Sequence, residues 1–161
     1  MTKKAMYGIL AFIIGIGIAC YSESFFRSLI QAIFKWSTSD KIQFVGKNFF
    51  AFSNKLYFIT FGIGFLILTI ENLNQKCTQV LKNGIISFLI FGILLVGISA
   101  MDANIKIMEC TACDDGIRKL HWNEINYGLI LGTSAIIPVI PSLIRMIKQR
   151  KKPMHNTLYK Q

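Results

Sequence analysis

Two cysteines at CxxC spacing, Cys110 and Cys113, are the residues of this chain whose type and spacing most directly suggest chemistry. A pair at this spacing closes a small disulfide ring or exchanges with another disulfide, because the thiolate is the attacking species. The neighbouring carboxylates of Glu109, Asp114 and Asp115 disfavour a thiolate and so count against strong redox activation. A structural disulfide, a redox-active pair and free or metal-bound thiols therefore all stay open at this point.

A metal centre at the CxxC pair would need more ligands of the right type. Zinc sites usually add a second cysteine pair or a histidine pair, whereas His121 stands alone in this part of the chain. We therefore predict no metal and no cofactor. His121 and Trp122 are interpreted as an aromatic belt that opens the last apolar run, with Asn123 or Asn126 near its helix cap.

The elements that must position these residues follow from the distribution of apolar residues. Hydrophobic residues make up 53% of the 161 positions and charged residues only 16%, crowded between long apolar runs. This composition excludes a disordered chain, a coiled coil and a collagen-like chain. The runs are apolar on every face, which argues against transmembrane strands, because those alternate apolar and polar residues.

Four of these runs approach the ~20 residues that a helix needs to cross ~30 Å of hydrocarbon. We predict spans at residues 5–21, 52–70, 84–101 and 125–147. The second reaches spanning length only if Lys55 snorkels outward. The predicted fold is all-α, a four-transmembrane-helix bundle that forms a single integral membrane domain over residues 1–161.

The segment after the first span has a pattern of its own. Residues 25–36 place apolar side chains at i, i+3, i+4 and i+7, with polar side chains on the other faces and Trp36 at the end. This pattern is typical of an amphipathic helix that lies in the membrane interface, here within the first outer loop. Such a helix either caps the bundle or docks a partner.

Small residues recur at helical spacing in the first and last spans. Ala11, Gly15 and Ala19 are four positions apart, and Gly128 and Gly132 form a GxxxG step. In lipid, where no hydrophobic force drives helices together, small side chains allow close backbone approach. We predict that they pack helices inside one protomer in preference to joining two copies.

The last span also contains Pro138 and Pro141, which predict a bend because each removes a backbone donor. Apart from Lys55 and Arg145 near their ends, the predicted spans carry no ionisable side chain. Proton-coupled pumps usually hold such groups at mid-bilayer depth, so this absence argues against proton-coupled transport.

The formal net charge of +10 would suggest a nucleic acid partner in a soluble protein. Here the basic residues flank apolar spans, so we predict the lipid bilayer as the partner, with another membrane protein as a further option and no nucleic acid. The basic tail over residues 148–161 begins with four cations that we assign to lipid contact: Lys148, Arg150, Lys151 and Lys152.

The basic residues also predict the orientation. With the amino terminus inside, the three short inner segments carry ten Lys and Arg, and the two much longer outer segments carry eight. Since positive charge concentrates on the inner side, both termini should face the cytoplasm. We expect a multi-pass protein of the cytoplasmic (inner) membrane, with the CxxC pair outside.

Four spans, inner termini and an outer CxxC at Cys110 and Cys113 resemble, in outline, the four-helix membrane thiol oxidoreductases that pass electrons from periplasmic disulfides to quinone. The resemblance implies thiol–disulfide exchange at this pair. Those enzymes use two extracytoplasmic cysteine pairs, whereas this chain offers one pair plus Cys20 and no quinone-site motif. The sequence therefore favours a non-catalytic structural or interaction role in a membrane complex, with thiol–disulfide exchange as the alternative.

Cysteine labelling tests the predicted orientation. After reduction, an impermeant maleimide added to intact cells should modify Cys110 and Cys113 and spare Cys77, because the CxxC loop is expected outside and Cys77 inside. Labelling would be followed by a mass shift in single-cysteine variants. Modification of Cys77 alone would reverse the assigned orientation.

Overall fold

The computed structural model describes residues 3–38, 42–46, 55–73, 75–109 and 118–151 of the chain. It is mostly helical, as predicted. In the described part, three helical stretches are long and apolar enough to cross a membrane: Lys3–Thr38, Cys77–Met108 and Trp122–Lys148. Their length and composition fit a membrane-embedded protein.

The elements follow one another in a simple order along the chain. The described residues form five α-helices, two strands and two 3₁₀ turns. In chain order these are α1 (Lys3–Thr38), β1 (Ile42–Val45), α2 (Leu56–Asn72), α3 (Cys77–Glu109), β2 (Arg118–His121), a 3₁₀ turn (Trp122–Glu124), α4 (Tyr127–Ile136), a second 3₁₀ turn (Ile137–Val139) and α5 (Ile140–Lys151).

The first helix corrects one prediction. We expected a span over residues 5–21 and a separate amphipathic helix over residues 25–36, but α1 is one uninterrupted helix of 36 residues, about 54 Å long. No glycine or proline occurs from Ile18 to Thr38, so nothing in the backbone ends the helix there. The amphipathic pattern belongs to the second half of α1, whose buried residues pack on other helices.

Helix α2 runs antiparallel to the first half of α1. Gly8 lies against Ile70, Gly15 against Phe61, and the Tyr57 hydroxyl reaches the carbonyl of Ala19. The helix has 17 residues, about 26 Å, and begins at Leu56. The predicted start of this span at residues 52–54 lies outside the described residues.

The remaining helices complete an up-and-down arrangement. Helix α3 runs parallel to the second half of α1, since Phe91 packs on Phe26 and Asn104 approaches Ser37. Helices α4 and α5 run parallel to α2, with Gly132 beside Thr60, Val139 beside Gly64 and Arg145 paired with Glu71. We call the end of the bundle near Tyr127 the tyrosine end and the end near Glu71 the glutamate end.

Besides its helices, the described part of the chain contains two short strands that the sequence analysis does not predict. Strands β1 and β2 form a two-stranded parallel sheet in which Ile42 pairs with Arg118 and Val45 with His121. Each strand follows a long helix, α1 or α3, and those two helices run in the same direction, so their connections meet side by side at the tyrosine end. Buried Ile42 and Leu120 join the sheet to the hydrophobic core.

The turn after β1 requires glycine. Gly46 has a φ of 90°, a left-handed conformation that L side chains rarely adopt. A Cβ atom there would also collide with the ring of His121. The glycine thus lets the backbone after β1 lie against the His121 ring at the end of β2.

At the prolines, where the sequence predicts a bend, the helix changes type. The α-helical pattern gives way to a 3₁₀ turn at Ile137–Val139, with Pro138 inside it and Pro141 in the first turn of α5. A proline removes a backbone donor and clashes with the preceding turn, which accounts for the change of helix type. The predicted cap at Asn126 is confirmed, because its side chain accepts from the backbone N–H of Leu129 at 3.2 Å.

Apolar side chains cover much of the outer surface of the bundle. On α5, Ile140, Leu143, Ile144 and Ile147 form an exposed stripe at i, i+3, i+4 and i+7, while Ser142 is buried. Thr60, Ser99 and Ser134 on the other helices are also buried, within a core that is otherwise mainly apolar. An apolar outer surface of this kind suits a lipid environment.

A pair of alanine substitutions tests the packing of α1 on α2. A Cβ at Gly15 would lie 2.8 Å from the Phe61 carbonyl oxygen, whereas nothing lies within 4 Å of one at Gly17. Both changes gain the same helix propensity, so the steric clash alone separates them. The free energy of unfolding of Gly15→Ala should be about 1–3 kcal/mol lower than that of Gly17→Ala. Circular dichroism of the detergent-solubilised chain measures this, and equal stabilities would contradict the observed close approach.

Candidate functional site

The predicted CxxC site lies outside the described residues. Helix α3 ends at Glu109 and β2 begins at Arg118, and Cys110 and Cys113 fall between them with Asp114 and Asp115. The other two cysteines are described: Cys20 on α1 and Cys77 at the start of α3 are both exposed free thiols.

A polar cluster at the tyrosine end joins α1 to α4 and is formed by Glu23, Arg27, Gln31 and Tyr127; we call it the α1–α4 cluster. Arg27 Nη2 lies 2.9 Å from Glu23 Oε1, and the two side chains are only 11% and 16% exposed. The Arg27 guanidinium sits 5.6 Å from the centre of the Tyr127 ring, within cation–π range. A charge pair is therefore held in the interior of the bundle.

The Tyr127 hydroxyl links this pair to the start of α4. It accepts a hydrogen bond from Gln31 Nε2 at 2.9 Å and donates to the carbonyl oxygen of Trp122 at 3.1 Å. Glu23, Arg27 and Gln31 recur every four residues, so they lie on one face of α1. One face of α1 thus holds the ion pair, the cation beside the Tyr127 ring and the amide that donates to the Tyr127 hydroxyl. These contacts fix the position of α4 along α1.

Trp122 forms a second junction just beyond this cluster. Its ring stacks on Phe44 of β1, with centroids 4.3 Å apart and planes at 11°. Lys35 of α1 places its Nζ 5.5 Å from the centre of the same ring. The tryptophan therefore ties α1, the sheet and the start of α4 into one unit.

His121 has a structural role in this unit. The His121 Nδ1 accepts a hydrogen bond from the backbone N–H of Asn123 at 3.2 Å, and the backbone N–H of His121 donates to Glu124 Oε1 at 3.1 Å. These reciprocal bonds form a capping box at the turn that follows β2. Among the described residues, no group of three or more His, Cys, Asp and Glu side chains could hold a metal ion.

A second ion pair lies at the glutamate end, between α2 and α5. Glu71 Oε1 is 2.7 Å from Arg145 Nε, and Arg145 Nη2 donates to Ser142 Oγ at 3.2 Å. The Glu71 side chain is 2% exposed and that of Arg145 is 51% exposed. The carboxylate is therefore inside the bundle, with its cation reaching in from the edge.

The small residues predicted to pack helices occupy internal positions. Ala11, Gly15 and Ala19 are buried on the side of α1 that meets α2. Gly128 and Gly132 are buried on α4, and a Cβ on Gly132 would lie 3.5 Å from Thr60 Oγ1.

The basic residues assigned to lipid contact lie at the carboxy-terminal end of α5. Lys148 is exposed there. Arg150 and Lys151 are helical, their side chains are outside the described part of the chain, and Lys152 follows beyond it.

Both ion pairs were missed by the sequence analysis. Arg27 falls within the interfacial helix predicted over residues 25–36, whereas Glu23 lies just before that segment and Glu71 just after the second predicted span. The spacing did carry a signal, because opposite charges four residues apart, followed by Gln31, mark one polar stripe on a helix. The spacing does not show which helix lies against that stripe.

Removing one member of the Glu23–Arg27 pair should be costly. Arg27→Gln removes the guanidinium from the largely shielded Glu23 carboxylate, which we expect to destabilise the chain by about 1–3 kcal/mol. The double change Glu23→Gln with Arg27→Gln should recover much of that loss, since neither position then carries a charge. Lys35→Gln, at an exposed cation, is the control and should cost under about 1 kcal/mol. An Arg27 variant as stable as the Lys35 variant would show that the pair is not buried.

Comparison of the chain with protein-family models, with curated proteins and with solved structures finds no match.

Proposed function

We propose that this protein is a four-span integral membrane protein with a non-catalytic structural or interaction role in a membrane complex. Support for the fourth span comes from α2, which lies antiparallel to α1 and beside α4 with apolar residues between exposed Lys55 and the Glu71 pair. Its 17 residues are long enough to cross the bilayer if the bilayer thins locally or if the Lys55 side chain snorkels to the surface.

The same proposal includes an orientation with both termini in the cytoplasm. An even number of spans puts the termini on one side, and the concentration of Lys and Arg in the short inner segments supports the cytoplasmic side of the inner membrane. The half of α1 that ends with exposed Trp36 would then lie at the opposite surface, in the interfacial region where tryptophan is enriched.

The observation that carries the interaction role is the exposure of α3. Only 11% of its most apolar 18-residue window is buried, compared with 50% in the Trp122–Lys148 stretch. Ile85, Phe88 and Ile93 are all exposed, and nothing lies within 4 Å of a Cβ added at Gly84, Gly92 or Gly97. A helix with so little packing inside its own chain has a large surface free for another membrane protein.

Photo-crosslinking from α3 tests this role in native membranes. A photoreactive residue at Phe88, and separately at Ile85 on the neighbouring position of the same face, should give one adduct of the same mass. Ile13 on α1 is the matched control, because it is apolar and exposed but belongs to a helix that is packed on α2. Products are read on denaturing gels from carbonate-washed membranes.

The two parts of the proposal fail separately in this experiment. A chain missing from the carbonate-washed pellet would show that it is not an integral membrane protein. A chain present in the pellet that gives only lipid adducts from Ile85 and Phe88 would refute the interaction role.

A further inference from the structure

Arg145 lies where the apolar surface of α5 meets its basic end. Ile140, Leu143, Ile144 and Ile147 form the exposed apolar stripe, and Lys148 follows one turn after Ile144. Acyl chains cover such a stripe in a membrane, and the phosphate groups of the lipids then lie at its basic end.

The Arg145 side chain is held in place from the protein side. Its Nε donates to buried Glu71 at 2.7 Å and its Nη2 donates to Ser142 Oγ at 3.2 Å. Glu71 is 2% exposed and Ser142 is buried, so neither anchor can turn toward the lipid. A long side chain whose rotamers are already fixed loses little entropy when it binds a ligand.

The guanidinium still has donors to spare. Arginine carries five N–H donors in one plane, and the two observed contacts occupy only one edge of the group. The side chain is 51% exposed, so the guanidinium is accessible to a ligand from outside the protein. Phosphate oxygens match such a planar fork better than they match a single ammonium.

We propose that Arg145, positioned by Glu71 and Ser142, is a binding site for the phosphate group of a membrane phospholipid. The apolar stripe beside it selects a lipid over free phosphate, because the acyl chains gain a surface that a free ion cannot use. This inference rests on the membrane embedding in the proposed function. It adds one specific lipid contact to the diffuse attraction expected from the basic tail.

Two variants separate a built site from diffuse attraction. The double change Glu71→Gln with Arg145→Gln leaves the net charge unaltered and leaves no buried charge without its partner, whereas Lys148→Gln removes one positive charge at the same end of α5. Diffuse attraction predicts no loss for the double variant and about a fivefold loss for Lys148→Gln. The site predicts a loss of at least about tenfold for the double variant, larger than the loss for Lys148→Gln.

The measurement is the affinity of the full chain in detergent for added phosphatidylglycerol, by native mass spectrometry, with helix content checked by circular dichroism. If the double variant does not fold, Arg145→Lys takes its place, because the ammonium keeps a charge near Glu71 but lacks the planar group that can hold Glu71 and Ser142 on one edge and a phosphate on another. Weaker lipid binding by that variant supports the site, and binding equal to the unaltered chain overturns it.

Competition with excess inorganic phosphate identifies the source of the ligand. Retention of phosphatidylglycerol supports a lipid site, whereas its displacement would show that the acyl chains contribute nothing and would overturn the proposal. Since binding is measured in detergent, a negative result here is distinct from failure of the proposed function, which is tested by recovery of the chain in carbonate-washed membranes.

Discussion

The fold depends on the requirement that polar groups find their partners inside a bundle whose outer surface is apolar. The hydroxyls of Thr60 and Ser134 donate to carbonyls of their own helices, and Tyr57 donates to the Ala19 carbonyl on its neighbour. In lipid, an unsatisfied donor has no water with which to bond, so the bond between Tyr57 and Ala19 also limits where α2 can lie against α1.

Charge pairs mark the two ends of the bundle, and small residues bring the helices together between them. Glu23 with Arg27 lies toward the tyrosine end and Glu71 with Arg145 at the glutamate end, while Gly15 lets α1 approach the backbone of α2 in the middle. Close packing alone would tolerate a slip of one helix along another, because apolar surfaces are interchangeable in lipid. A slip would separate Glu71 from Arg145, so this ion pair specifies the register of α5 against α2 that the packing leaves open.

The sequence carried the parts of this arrangement that depend on neighbours along the chain. Apolar runs, the prolines at 138 and 141 and the cap at Asn126 act locally, and each left a recognisable pattern. The packing of the second half of α1 on α3 and the pairing of the parallel sheet depend on contacts between distant segments, such as Phe26 with Phe91 and Phe44 with Trp122. Periodicity of one segment cannot reveal these contacts, because an amphipathic helix shows the same pattern whether it meets lipid headgroups or other helices.

The two connections at the tyrosine end form a unit because several weak features coincide there. A two-stranded sheet is only marginally stable by itself, and β1 and β2 have four residues each. Trp122 adds a stacked ring and a cation–π contact, Gly46 lets the chain pass the His121 ring, and Tyr127 joins the adjoining turn to α1. Since β2 is the element that follows the CxxC segment, this unit fixes where that segment must end, beside α1 and the start of α4.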